Sequence, residues 1–146
     1  MGLDLVCDDM HTRVGSYSTV QEIRKYLLLT VKNYIMKTKD IYNFQKEDLI
    51  KEFNRILPDL DSNINYKDYE ILSLKLKYFN LDGFDCFINH SDCQGFISSY
   101  QSYQFIKTLN IVKKYFDKNI YHYDNKFFLL DIFLKSSETE EDIYFT

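Results

Sequence analysis

A chain of 146 residues with a formal net charge of -4 has the size of one domain. Its acidic balance argues against the sequence-independent nucleic-acid binders, which need a basic face to displace counterions from phosphates, and leaves Lys107, Lys113, Lys114 and Lys118 as the best candidate for a local basic patch. Hydrophobic residues at 45% and charged residues at 27% exclude general disorder, and no apolar run approaches the roughly 18 to 20 residues that cross a bilayer.

The start, MGLDLVCDD, has neither the basic opening nor the long apolar core of a signal peptide. A cytoplasmic, non-secreted single domain over residues 1–146, with no membrane contact, is therefore expected. Met1-Gly2 opens like a myristoylation site, but Val6 and Cys7 stand where such a site carries Ser or Thr. The three cysteines, Cys7, Cys86 and Cys93, are an odd set that makes no disulfide framework, so they read as reduced thiols. The 13 Tyr and 12 Phe, alongside many Lys, Ile and Asn, are residues with AT-rich codons, and coding composition accounts for them.

Leu3-Asp4-Leu5-Val6-Cys7 alternates and then meets Asp8-Asp9, the pattern of a short strand ending in a turn. His11 to Tyr17 reads as a connection, with Gly15 free to take a positive φ. Ser18 and Thr19 precede Gln21 and Glu22 in two overlapping capping boxes. They predict a helix to about Lys37 whose buried stripe includes Val20, Ile23, Leu27 and Val31. Asn43 is expected to cap a second helix with Leu49, Phe53, Ile56 and Leu57 inward, ending before Pro58, the only proline.

A third helix is expected over residues 66–79, buried on more than one flank: Tyr69, Leu72, Leu76 and Phe79 on one side, Ile71, Leu74 and Tyr78 on another. Phe84, Phe87 and Ile88 suggest a helical turn. Ser98 with Gln101 forms another capping box ahead of a helix to about Asp117. The run from Phe127 to Leu134 reads as a last, enclosed helix, followed by an exposed acidic stretch from Ser136 to Asp142. Ile143-Tyr144-Phe145 is then a short strand whose natural partner is Leu3 to Cys7.

The densest polar chemistry lies in Asn89-His90-Ser91-Asp92-Cys93-Gln94-Gly95. A calcium-loop template puts His90 first, Gly95 at the turn, Ile97 at the inward anchor and Gln101 last. Asp92 is then the only carboxylate in a ligand position, too few for a hard cation. A softer site would join His90 and Cys93 with His11 and Cys7 or Asp8. Alternatively, Cys93 is a nucleophile with His90 or His11 as base and Asp92 or Asp4 orienting it. The structural reading makes His90, Ser91 and Asp92 a capped turn with Cys93 as a small buried hydrophobe. Arg13 and Arg24 suit fork-like pairs with Asp4, Asp8 or Asp92.

Gly2-Leu3-Asp4-Leu5, Val14-Gly15-Ser16-Tyr17-Ser18 with Arg24, and His90-Ser91-Asp92-Cys93 with Gly95 together resemble a group of small uncharacterised proteins of bacteria, phages and large DNA viruses. The resemblance implies that Asp4, His11, Ser16, Tyr17, Ser18, Arg24, His90, Asp92 and Cys93 converge; it supplies no activity. Gln94 departs from the acidic residue the group leads one to expect, which weakens a metal reading of the loop.

The expected fold is mainly α (α+β): a single-domain bundle of about five helices with a small two-stranded β element pairing the N- and C-terminal segments. The helix from residue 18, the helix after Ser98 and the Phe127 helix should centre the core. Two functions stay open. One is an intracellular, non-enzymatic binding protein without a cofactor, taking a protein or small ligand in a polar pocket of Asp4, His11, Ser16, Tyr17, Arg24, His90, Asp92 and Cys93. The other is a small metal-dependent or Cys/His-dependent hydrolase using His90, Asp92, Cys93, Asp4 and His11.

Overall fold

The computed structural model describes residues 2–59, 62–90, 95–116 and 126–146, with residues 126–130 described by their backbone only. Strands β1 (Gly2–Cys7) and β2 (Met10–Ser16) form a hairpin that runs directly into helix α1 (Tyr17–Lys37). Helices α2 (Asn43–Ile56), α3 (Tyr69–Tyr78) and the single turn α4 (Asp85–Ile88) follow. The two-residue strand β3 (Phe96–Ile97), α5 (Ser99–Val112), α6 (Lys126–Thr139) and β4 (Ile143–Phe145) complete the described elements.

The β element is larger than the two strands expected: one antiparallel sheet of four strands in the order β2-β1-β4-β3. The expected pairing of the termini is present, with Leu5 opposite Phe145 and Val6 opposite Tyr144. The segment from His11, expected as a connection, is instead strand β2. Its alternation is carried by Thr12 and Val14 inward and by His11 and Arg13 outward, and a buried threonine is polar to a pattern reading although it is β-branched and suits a strand.

One face of the sheet is apolar. Leu3, Leu5, Cys7, Val14, Ile97, Ile143 and Phe145 are all buried, and α1 and α6 pack against it. The core continues into the helices through Phe105 stacked on Phe133 at 3.8 Å, with Phe84 and Phe87 packed against that pair. The opposite face of the sheet is open and carries Asp4, Val6, His11, Arg13, Phe96 and Tyr144.

The helix boundaries follow local chemistry. Ser16, rather than Ser18 or Thr19, caps α1: it is extended, and its hydroxyl accepts from Thr19 N. Tyr42 rather than Asn43 precedes α2 and offers no side-chain cap. A tight turn at Tyr66–Asp68, capped by Asn65, leads into α3. Ser98 and Gln101 form the full capping box of α5. That helix ends at Val112, before the expected Asp117, and continues as a 3-10 turn at Lys113–Tyr115. Helix α6 runs on to Thr139, so Ser136, expected in an exposed stretch, is buried and donates to Glu141 O.

Gly83 marks a close backbone approach. A Cβ there would lie 2.1 Å from Gln104 O, so only glycine fits between the α3–α4 connection and α5. Its N-H donates to Thr108 Oγ1, which in turn donates to Asn80 O.

Candidate functional site

The residues singled out from the sequence fall into separate groups. On the open face of the sheet, Asp4 lies between His11 and Arg13, with its two oxygens 3.4 Å from His11 Nε2 and 3.4 Å from Arg13 Nη1. The cross-strand register produces this, because Asp4 faces Arg13 and Val6 faces His11. Both contacts are longer than a good hydrogen bond, and both basic side chains are mostly solvated, so the group is a weak surface ion cluster.

Arg24 is far from that cluster in role as well as environment. It is buried in α1, and its guanidinium grips the segment after α4: Nε donates to Phe87 O at 3.0 Å and Nη2 donates to His90 O at 2.8 Å. Helical termini leave carbonyls without intrahelical donors, and Arg24 supplies donors for these from a neighbouring helix. It also lies over the Phe87 ring and against Tyr66, whose hydroxyl donates to Gln21 Oε1.

His90 is held on its backbone by Arg24 and on its ring by Phe145, stacked at 3.9 Å. Its Nε2 lies 3.2 Å from Phe96 O, and Gly95, at φ +102°, passes beneath the ring. Phe145 projects from the buried face of the sheet, whereas Asp4 and His11 project from the open face. The expected convergence of Asp4 and His11 with His90 is therefore absent; they approach the sheet from opposite sides. Ser16 is the α1 cap and Tyr17 opens that helix on the surface. Asp92 and Cys93 lie outside the described residues.

Of the softer ligand set, Cys93 lies outside the described residues, and the N-terminal pair Cys7 and His11 diverges. Cys7 points into the core, its thiol toward Glu141 O, while His11 points outward, so strand parity keeps the two from one ion. Among the described residues, no group of three or more His, Cys, Asp or Glu side chains is placed to hold a metal ion. Of the calcium-loop template, residues 91–94 lie outside the described residues; Gly95 has a positive φ and Ile97 is buried in β3. The Gln101 side chain, last in the template, closes the capping box of α5 instead. Burial pushes the Cys7 and Cys86 thiols up, away from the thiolate form that nucleophilic chemistry requires.

A different surface emerges between α2 and α3. Leu74 and Tyr78, expected to be enclosed, are 64% and 77% exposed, and Tyr42 and Phe44 are 73% and 71% exposed. Tyr42 stacks on Phe44, Tyr78 packs edge-on against Phe79, and a groove of about 270 Å³ between the pairs is lined by Phe44, Leu49, Tyr78 and Phe79. Lys75 spans its side, bonded to Asp48 at 3.0 Å and to the buried Glu52 at 3.3 Å; the Asp48 contact holds the Lys75 ammonium above its ordinary pKa. The signal in the sequence was the second apolar flank of α3. A helix at the margin of a small domain has only one buried side, so a second apolar flank faces solvent.

The chain matches no protein-family model, no curated protein and no solved structure. No described helix is long and apolar enough to cross a membrane.

Proposed function

We propose that this is a non-enzymatic interaction protein acting inside the cell, and that it receives a partner protein on the α2–α3 aromatic face. One observation carries the reading: the exposed rings of Phe44 and Tyr78 line a groove, and Tyr42, stacked on Phe44, and Leu74, one turn before Tyr78, are exposed as well. Aromatic side chains left in water on rigid helices contribute little to folding, and contiguous exposed apolar surface marks an interaction site. The occupant favoured by a groove between two helices is an apolar side chain on a partner's amphipathic helix. The Lys75, Asp48 and Glu52 cluster would supply the polar rim around it.

The test is photocrosslinking from position 78. A benzophenone amino acid in place of Tyr78 should capture one protein partner, and the same probe in place of Tyr103, exposed on α5, should not. The added substitution Phe44→Asp should abolish capture with the helical content unchanged. Equal capture from both positions, or capture indifferent to Phe44→Asp, would count against the reading.

A further inference from the structure

The other flank of α2 carries a distinct stripe. Asn43, Lys46, Glu47, Ile50, Lys51 and Asn54 recur at spacings of three and four and, with Met36 of α1, line a groove of about 610 Å³. Two of the nearby lysines are occupied within the chain: Lys46 donates to Thr38 O, and Lys32 donates to Asn54 Oδ1 at 3.1 Å. Glu47 and Lys51, one turn apart and of opposite sign, make no ion pair among the described residues. Met36 is 55% exposed and Ile50 is only partly buried, giving the stripe an apolar centre.

Neither sign of charge dominates here, so a uniformly acidic or basic partner finds no complement. The order of charges does complement itself under a two-fold axis. We propose that this flank docks on a second copy of the chain, with the two α2 helices antiparallel and the axis crossing them at the level of Leu49. Glu47 of each copy then faces Lys51 of the other, twice over. Ile50 meets Ile50 beside the axis, with Met36 flanking. An isologous contact needs this self-complementarity, and two-fold dimers are the commonest closed assemblies. The seam is short, since a 14-residue helix is only about 21 Å long. The assembly is accordingly a concentration-dependent dimer, and it leaves the α2–α3 groove open on each copy.

Sedimentation velocity over a concentration series, on the full chain, tests this. The native protein should pass from monomer to dimer as concentration rises. Glu47→Lys and Lys51→Glu should each weaken association by about tenfold, because two favourable pairs become two repulsive ones. Mixing the two variants should restore a dimer, since one then presents two lysines at these positions and the other two glutamates. Met36→Lys, at an exposed position, should also weaken association with the melting temperature unchanged. A protein that stays monomeric at every concentration overturns the proposal. So does a dimer that ignores the charge reversals, or variants that fail to complement each other.

Discussion

The surroundings of Arg24 and the face formed by α2 and α3 differ in which groups are left in contact with water. In the first, the buried Arg24 guanidinium bonds the carbonyls of Phe87 and His90, and in the preceding connection Thr108 joins Gly83 to Asn80. Between α2 and α3, aromatic rings are exposed on helices already anchored by Leu49, Phe53, Leu72 and Leu76. The first region is accounted for by folding. The second is not, because its rings could be polar without loss to the core.

The sharpest way to break this contrast is in the first region. Gly83→Ala forces a Cβ against the Gln104 carbonyl, an overpacking against backbone, and should cost about 3 kcal/mol or more in chemical denaturation. Arg24→Met keeps the stem but leaves buried carbonyls without donors, and should cost about 2 to 4 kcal/mol by the same measurement. His90→Ala removes the stack on Phe145 and should cost about 1 to 2 kcal/mol. Phe44→Ser and Tyr78→Ser, at exposed positions, should each stay within about 0.5 kcal/mol of the native stability while losing the partner.

A pH-dependent prediction concerns Asp85, whose carboxyl burial pushes above the ordinary range, against hydrogen bonds from Tyr69 and Ser73 that lower it. A carboxyl raised on folding favours the protonated form in the native state. Its contribution is complete below the unfolded pKa and is lost as pH rises through the folded one. Asp85→Asn should thus raise the melting temperature at neutral pH relative to the native protein. The gain should shrink in acid, where Asp85 itself is protonated; a gain independent of pH would remove burial of the charge as its cause.

Much of the fold was legible in the sequence. The stripe of α1, the Ser98–Gln101 box and the pairing of the C-terminal strand with the segment Leu3 to Cys7 each follow from local spacing or from there being a single obvious partner. Strand β2 was hidden because Thr12 is buried and Gly15 interrupts the alternation. The site was less legible for a different reason. Residue type and spacing show that His90, Asp4 and His11 are polar and near turns, but the side of the sheet each approaches depends on long-range register, and a shift of one residue reverses it. Arg24 suits a fork-like pair with a carboxylate, but its partners are the carbonyls of Phe87 and His90, which no side-chain pattern reveals. The exposure of Leu74 and Tyr78 is not legible because hydrophobic periodicity marks an apolar flank without saying what lies against it.

Hydroxyl-radical footprinting of the protein in its native extract, compared with the purified protein at a concentration where it is monomeric, tests the central claim most directly. Protection of Tyr42, Phe44 and Tyr78 in the extract, with Phe96, Tyr144 and His90 unchanged, is the predicted result. Protection of Phe96, Tyr144 or His90 while the α2–α3 rings remain fully reactive would contradict it.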